Sequence, residues 1–289
     1  MKGQILTQAD MRSMLPPRLP DSHKGKNGKA LLCVGSVPYT GAALLCAAAT
    51  LRAGAGITTA AVPLSIKTAF SSLPEVCCIP VGDGDGWTEE AQQEAIGLLP
   101  DHTAFGIGCG MGSCASEGLL LAALRTKKPV VIDADGLNLL AGFPSILEQD
   151  LHENVILTPH PGEMARLLAC SVQEVLREPA TLAQTAAKAW NCVLLLKGET
   201  SFIATRDKLT INRTGNSGLA KGGSGDVLTG LIVGLLAQSV AAFNAACLGA
   251  YLLGVSADRA FELLETRLLI ARDVLEVIED SIHGLRDMK

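Results

Sequence analysis

Short runs of continuously apolar residues alternate with longer Ala- and Leu-rich segments along the first two thirds of the chain. Strands with this uninterrupted apolar pattern are typical of sheets that are buried on both faces. We predict seven of them, at 29–34, 57–62, 76–80, 103–107, 130–133, 155–157 and 192–197. Helices are predicted between them, at 41–53, 88–98, 113–125, 162–169 and 181–189. Strands that alternate with helices indicate an α/β fold, in which helices cover both faces of a mostly parallel sheet.

The pattern changes after the last of these strands. Two short strand-like runs, 201–205 and 208–212, are separated by a two-residue polar turn and predict a β-hairpin. Two long helices are predicted next, beginning near residues 226 and 240, and a last amphipathic helix is predicted at 266–281.

No linker, low-complexity segment or internal repeat is visible, so we predict a single domain over residues 1–289, with residues 1–28 as an N-terminal extension. Hydrophobic residues make up 48% of the chain and charged residues 18%, which excludes an intrinsically disordered protein. The apolar stretch 230–257 is long enough to span a bilayer, but three polar residues interrupt it. It therefore favours two consecutive buried helices and no contact with a membrane.

Charge and residue type exclude two further classes of protein. The net charge is −5 and aromatic residues are 3%, so neither a basic face nor a stacking platform for nucleic acid is expected. The nine cysteines form no C-x-x-C pair and lie mostly in apolar runs, which predicts reduced, buried thiols and no zinc site. Reduced thiols, together with the lack of a secretory signal at the first residues, predict a cytoplasmic location.

The strongest chemical signal is a glycine cluster directly before an apolar helical run. Gly222, Gly223 and Gly225 let the backbone curl around a ligand, and the helix start offers unpaired N–H groups at the positive end of its dipole. These features predict an anion hole for a phosphoryl group in transfer. Asp226 at the helix start could accept the proton of an attacking hydroxyl. Alternatively, Asp226 only caps the helix and the glycines only form a tight turn.

Other candidates follow predicted strands, where ligands bind in open α/β sheets. The glycine-rich run 106–112 predicts close approach of the backbone to a ligand, or else a flexible loop. Asp133 and Asp135 could hold a Mg²⁺–phosphate complex, or Asp135 could only cap the next helix. The small residues 41–43 leave room for a bulky ligand, or else serve the close packing of a helix on the sheet.

Three charged or titratable residues complete the candidate set. His160 lies between two prolines after a strand, in a rigid turn that favours a functional role. Glu163 opens the following helix, where a carboxylate also stabilises the helix dipole. Lys197 ends a strand, where it could meet a nucleotide phosphate or remain solvated.

Taken in order, these segments resemble the ADP-dependent NAD(P)H-hydrate dehydratase family. The most specific are GAALLCAAATLRAGAG, DADGLNLL, TPHPGE and GNSGLAKGGSGDVLTG, and the resemblance extends from residue 28 to about residue 278. It implies a ribokinase-like three-layer αβα sandwich with a mostly parallel central sheet. It also implies that the chain restores NADH or NADPH from the hydrated forms NADHX and NADPHX. In that reaction the ring hydroxyl is phosphorylated by ADP or ATP in the presence of Mg²⁺ and phosphate is then eliminated; ADP leaves AMP.

The resemblance assigns roles to individual residues. The hydrated dinucleotide would contact Gly41, Ala42, Ala43, Gly110, His160 and Asp226. The adenine nucleotide would contact Lys197, Gly198, Glu199, Thr200, Ser201 and Gly225. The catalytic set would be Asp226 as the base with Gly223 and Gly225 in the anion hole. Mg²⁺ would be bound by Glu163, and Asp133, from its position after a strand, is the second candidate ligand.

The chain departs from its relatives in two ways. Many of them carry an additional epimerase domain, whereas only about 28 residues precede the first predicted strand here, so a separate epimerase is expected elsewhere. Lys221 stands inside the glycine motif, where a small or hydroxyl residue is expected; it could reach a phosphate or point to solvent. The apolar composition and the relatives together suggest a homo-oligomer, in the form of a tetramer.

Two other functions stay open at this point. A ribokinase-like kinase of a vitamin precursor or a sugar would share Asp226 and the anion hole, but it would release a stable phosphorylated product. A nucleotide-binding regulator without turnover would not need Asp226. The segments TPHPGE and GAALLCAAA favour the dehydratase, while the choices between ADP and ATP and between NADHX and NADPHX stay undecided.

Overall fold

A ten-stranded sheet forms the centre of the part of the chain that the computed structural model describes, residues 3–18, 20–114, 116–263 and 267–286. The strands are β1 (Gln4–Ile5), β2 (Lys29–Cys33), β3 (Ile57–Pro63), β4 (Cys77–Val81), β5 (Ala104–Ile107), β6 (Val130–Ile132), β7 (Val155–Leu157), β8 (Val193–Leu196), β9 (Ser201–Ala204) and β10 (Leu209–Asn212). They lie in the order β4-β3-β2-β5-β6-β7-β8-β9-β10-β1. Neighbouring strands are parallel except where β9 pairs with β8 and β10.

Helices cover both faces of this sheet. They are α1 (Gln8–Met14), α2 (Thr40–Arg52), α3 (Glu89–Leu98), α4 (Gly118–Arg125), α5 (Asp135–Ala141), α6 (Pro144–Gln149), α7 (Pro161–Leu167), α8 (Val172–Arg177), α9 (Pro179–Ala189), α10 (Ser224–Ala237), α11 (Ala242–Leu263), α12 (Ala271–Glu276) and α13 (Ile278–Arg286). Short 3₁₀ helices occur at Val37–Tyr39, Leu64–Ser72, Leu99–Asp101 and Ser217–Leu219.

Two separate hydrophobic cores make the arrangement a three-layer sandwich. Successive side chains of a strand point to opposite faces, and β2 shows this directly. Ala30 and Leu32 pack in the core under α1, α2 and α10–α13, whereas Leu31 and Cys33 pack in the core under α3–α9. The α/β three-layer prediction is therefore confirmed.

The predicted strands are all present, and each end differs from the prediction by at most one residue. The structure adds β1 and α1 within residues 1–28, and it adds the short helices α5, α6 and α8. These elements have two to seven residues, which is too short to produce a clear period in the sequence. The prediction of one last helix at 266–281 is wrong, because α12 and α13 meet at Val277; residue 266 lies outside the described residues.

The long apolar stretch at 230–257 forms two successive helices, as predicted, since α10 ends at Ala237 and α11 begins at Ala242. In the part of the chain that the structure describes, no helix combines the length and apolar character needed to cross a membrane.

Helices α2 and α10 pack so closely that their backbones are in contact. A Cβ atom added to Gly230 would lie 2.2 Å from the carbonyl oxygen of Cys46 and 2.6 Å from the Cβ of Ala49. Thr50 Oγ1 donates a hydrogen bond across the same contact to the carbonyl of Gly230, at 3.1 Å. This contact places the start of α10 over the sheet, next to the ends of the central strands.

We expect Gly230→Ala to destabilise the fold by about 2 kcal/mol or more, because the added methyl group must push two helices apart. Gly97→Ala is the matched control, since Gly97 is also helical but a Cβ there would meet nothing within 4 Å. That variant should gain up to about 1 kcal/mol from the better helix propensity of Ala. Urea unfolding of both variants measures the difference, and equal stability would show that α2 and α10 can separate without cost.

The order of the strands creates a crevice at the carboxyl edge of the sheet. From β2 the chain continues through α2 to β3 on one side, whereas β5 lies on the other side of β2 and continues through α4 to β6. Helices α2 and α4 lie on opposite faces, so the loops after β2 and β5 diverge. Ligands of open α/β sheets bind at such a reversal of strand order.

Candidate active site

A buried ion pair lies at the ends of the central strands. Asp133 follows β6 and is 1% exposed, and Lys197 follows β8. Lys197 Nζ lies 2.8 Å from Asp133 Oδ1 and 3.8 Å from Oε2 of Glu163, in the first turn of α7. Burial lowers the pKa of Lys197, but the two carboxylates more than offset this and raise the pKa above its ordinary value. The site therefore contains a permanent cation beside the edge of the sheet.

The start of α10 lies against this ion pair. Thr229 Oγ1, one turn into the helix, donates a hydrogen bond to Asp133 Oδ2 at 2.9 Å. A Cβ on Gly225 would lie 3.5 Å from both Asp133 Oδ2 and Lys197 Nζ. The two predicted phosphate-binding features, Lys197 and the glycine-rich helix start, are thus brought together.

Asp226 is the titratable group at the helix start, and its surroundings raise the pKa from 3.8 to about 6. Burial is the largest cause, followed by the charge of Asp133; Asp135 adds a smaller effect in the same direction. A hydrogen bond with Cys109 and the charge of Lys197 act in the opposite direction. A carboxylate with a pKa near 6 is still ionised at neutral pH, and it is a stronger base than an exposed Asp.

The glycine motif turns sharply before α10. Gly223 has φ +99°, and a Cβ there would lie 2.7 Å from Leu45 Cδ1 and 2.9 Å from the Cβ of Ala271. The first N–H groups of a helix have no partner within the helix, so they are available to an anion at the position beside Gly225.

Lys221 has a structural role that the sequence did not suggest. Its ammonium group donates hydrogen bonds to the carbonyls of Arg267 and Leu269, at 2.6 and 2.7 Å. These bonds join the glycine motif to the segment before α12, so the side chain is held by backbone rather than simply pointing to solvent.

The crevice between β2 and β5 brings together the small residues that were predicted to line it. Gly110 has φ +62°, and a Cβ there would lie 2.8 Å from the Cβ of Ala42 and 2.7 Å from that of Tyr39. Nothing lies within 4 Å of the Cβ position of Gly41, whereas Ala43 packs against Gly35. Gly110 therefore packs directly against Ala42, Gly41 is exposed beside Ala42, and the buried Ala43 belongs to the packing beneath them.

His160 and Glu163 interlock at the start of α7. His160 Nδ1 accepts a hydrogen bond from the N–H of Gly162 at 3.0 Å, and Glu163 Oε2 accepts one from the N–H of His160 at 2.8 Å. The His160 side chain is half exposed, so it caps the helix and still presents one edge of its ring outward. Lys197 N–H donates to the carbonyl of Pro159 at 2.8 Å, which joins this turn to the end of β8.

Residues 198–200 form the turn between β8 and β9, and Ser201 is the first residue of β9. The predicted nucleotide residues thus lie at the carboxyl end of β8, next to the ion pair of Lys197 and Asp133. Two polar residues of the site were not predicted: Thr229, and Ser36, whose hydroxyl donates a hydrogen bond to the carbonyl of Gly110. Thr229 is a polar residue three positions after Asp226 in an otherwise apolar helix, and this signal could have identified it.

The described residues contain no group of three or more His, Cys, Asp or Glu side chains that could hold a metal ion. The two oxygens of Asp133 already bind Lys197 and Thr229, and Glu163 accepts the N–H of His160. Mg²⁺ that is bound together with nucleotide phosphates needs only one or two carboxylates. The residues present therefore suit an ion brought in by phosphates and not a preformed metal cage.

Comparison with known proteins agrees with this geometry. The sequence model of a family described as NAD(P)H-hydrate dehydratase matches residues 30–279. The bifunctional NAD(P)H-hydrate repair enzyme Nnr of Moorella thermoacetica is 40% identical, over 98% of this chain and 54% of that protein. The chain spans about half the length of the curated relatives it matches.

Two solved structures share the fold. The ADP/ATP-dependent NAD(P)H-hydrate dehydratase from Bacillus subtilis, co-crystallised with ATP/Mg²⁺, has a TM-score of 0.83 and 29% identity over 99% of both chains. A ribokinase-like superfamily protein from Enterococcus faecalis also has a TM-score of 0.83, with 20% identity, over 98% of this chain and 96% of that one. The ribokinase-like fold is thus confirmed.

Proposed function

Since the chain belongs to the NAD(P)H-hydrate dehydratase family, we propose that it dehydrates NADHX and NADPHX to NADH and NADPH at the expense of an adenine nucleotide. The observation that carries this proposal is the position of Asp226. Its carboxylate, with a raised pKa, lies at a helix start beside the buried Lys197–Asp133 pair. This arrangement combines a base with two groups that attract a phosphoryl group, the ammonium of Lys197 and the positive end of the α10 dipole.

Asp226 accepts the proton of the ring hydroxyl while the hydroxyl oxygen attacks the terminal phosphorus of the nucleotide. The bond between that phosphorus and the bridging oxygen breaks, so ADP leaves AMP. The ring now carries phosphate, a far better leaving group than hydroxide. Loss of a proton from the adjacent ring carbon and departure of phosphate then restore the dihydronicotinamide.

Phosphoryl transfer depends on positioning and on charge stabilisation more than on covalent catalysis. Gly223 and Gly225 free the helix-start N–H groups for the phosphoryl oxygens, and Lys197 adds a positive charge next to them. Residues 198–201 border the nucleotide in this proposal. Glu163 and Asp133 are the carboxylates that would hold Mg²⁺ together with the nucleotide, and the ion would supply positive charge to the phosphates.

The dinucleotide occupies the crevice at Gly41, Ala42 and Gly110 in this proposal, with Ala43 buried beneath it and His160 at its edge. The absence of side chains larger than a methyl group at these positions leaves room for a bulky ligand. The packing of Gly110 against Ala42 supports this assignment, because it brings two predicted dinucleotide residues from different parts of the chain together beside the exposed Gly41.

Turnover tests the proposal directly. Purified protein is mixed with hydrated NADPH, Mg²⁺ and either ADP or ATP, and the return of dihydronicotinamide absorbance is followed together with AMP, ADP and phosphate. We expect recovery of absorbance with release of phosphate, and the nucleotide that supports it identifies the donor. A stable phosphorylated product would instead indicate the small-molecule kinase, and nucleotide binding without any turnover would indicate the regulator.

Three further properties stay predictions. They are a cytoplasmic location, a homotetramer, and an epimerase outside this sequence that converts the other epimer of the hydrated dinucleotide. Analytical sedimentation tests the prediction of a homotetramer, and a monomer at micromolar concentration would contradict it.

A further inference from the structure

The glycine loop of the crevice is held from the side of β2. Ser36, which is 4% exposed, donates a hydrogen bond from Oγ to the carbonyl of Gly110 at 2.8 Å. The N–H of Gly35 donates to the carbonyl of Cys109, also at 2.8 Å. The loop contains three glycines with positive φ, and these bonds act together with the buried side chains of Cys109 and Met111 to set its position.

The opposite side of the loop is held by Asp135. Its Oδ2 accepts the N–H of Gly112 at 2.8 Å, a contact between residues 23 positions apart. Its Oδ1 accepts a longer bond from Asn138 Nδ2 at 3.4 Å, and Asn138 Oδ1 accepts one from Arg166 at 2.8 Å. The chain of bonds thus runs from the glycine loop through α5 to α7, which carries Glu163 and is capped by His160.

Helix capping does not explain this aspartate. The N-cap position of α5 is occupied by Ala134, whose side chain makes no capping hydrogen bond. Asp135 follows it as the first residue of the helix. Ala134 has φ +48° and ψ −115°, a conformation that L residues rarely adopt and that costs about 1–3 kcal/mol. The strained backbone directs the adjacent carboxylates, Asp133 toward Lys197 and Asp135 toward the glycine loop.

We propose that Asp135 is a positioning residue for the dinucleotide: through the Gly112 N–H it holds the glycine loop against Ala42, next to the place where the dinucleotide is proposed to bind. The inference rests on the proposed function for the identity of the ligand. Gly110 fits against Ala42 only because it has no side chain, since a Cβ there would lie 2.8 Å from the Cβ of Ala42; a small shift of the loop therefore changes this contact.

Two variants of Asp135 distinguish the effect of losing its hydrogen bond from the effect of losing its charge. Asp135→Ala removes the acceptor, whereas Asp135→Asn removes the charge and keeps an oxygen that can accept the Gly112 N–H. We expect Asp135→Ala to raise KM for the hydrated dinucleotide about tenfold, which corresponds to one lost hydrogen bond to a charged group. KM for the nucleotide should stay within about twofold, and Asp135→Asn should restore most of the dinucleotide affinity.

The rate of hydrogen exchange at the Gly112 amide reports its hydrogen bond to Asp135 and can be measured without substrate. It should become faster in Asp135→Ala and not in Asp135→Asn or in Asp207→Ala, an exposed control in the turn after β9. Equal effects of the Ala and Asn variants on KM, a fall in kcat alone, or unchanged exchange at Gly112 would each overturn the proposal. If the wild type does not act on hydrated dinucleotide, the proposed function fails, and exchange at Gly112 then tests only whether Asp135 holds the glycine loop.

Discussion

Asp226→Asn is expected to lower kcat at least ~100-fold while the Kd for ADP changes by less than about threefold. The amide is nearly isosteric with the carboxylate, but it cannot accept the proton of the ring hydroxyl. Nucleotide binding depends on Lys197 and the helix-start N–H groups, which the substitution leaves in place. Steady-state kinetics and calorimetric titration with ADP measure the two quantities separately.

The pH dependence of the wild type tests the same assignment. Because the pKa of Asp226 is about 6, kcat/KM should fall as the pH drops through that value, where the base becomes protonated. The residual activity of Asp226→Asn should lack this acid limb.

Asp226→Asn should also make the protein more stable at neutral pH. The pKa is raised in the folded state, so the folded state binds more protons than the unfolded state between about pH 4 and pH 6. Stability therefore decreases as the pH rises through this window, by up to about 3 kcal/mol. The variant removes that cost above pH 6, and its midpoint of thermal unfolding should rise by several degrees.

Asp207→Asn is the matched control, since Asp207 is exposed in the turn after β9 and should change neither activity nor stability. Unchanged turnover in Asp226→Asn would remove this residue from the mechanism. Loss of ADP binding together with turnover would contradict its assignment as a base.

Lys197→Met is expected to destabilise the protein by about 3–5 kcal/mol, because it leaves the buried carboxylate of Asp133 without its cation. The same substitution removes a charge that lowers the pKa of Asp226. The acid limb of the remaining activity should therefore move above pH 6, and the affinity for ADP should decrease. Denaturant unfolding, a pH profile and ADP titration measure these three effects.

Lys188→Met in α9 is the control for this variant, because Lys188 is exposed and should tolerate the change within about 0.5 kcal/mol. A Lys197→Met protein as stable as the wild type would mean that Asp133 becomes protonated at little cost. An acid limb that does not move would contradict the electrostatic link between Lys197 and Asp226.

The glycine motif shows what could be predicted locally. Gly223, Gly225 and Asp226 are neighbours in the chain, and the apolar run after them predicts a helix, so the proposed anion hole could be inferred without knowledge of the fold. His160 and Glu163 are also close in sequence, and their interlocked cap follows from their spacing. The role of Asp135 could not be predicted in this way, because its partner Gly112 lies on a different loop.

By itself, the sequence determined the strands, most helices and the candidate positions at strand ends, because apolar periodicity and glycine motifs act over a few residues. Only the tertiary structure decided which of these positions meet. Asp133 pairs with Lys197 across 64 positions and with Thr229 across 96, and these contacts depend on the order of strands in the sheet. The raised pKa of Asp226 has the same origin, since burial and a second carboxylate act through space and not along the chain.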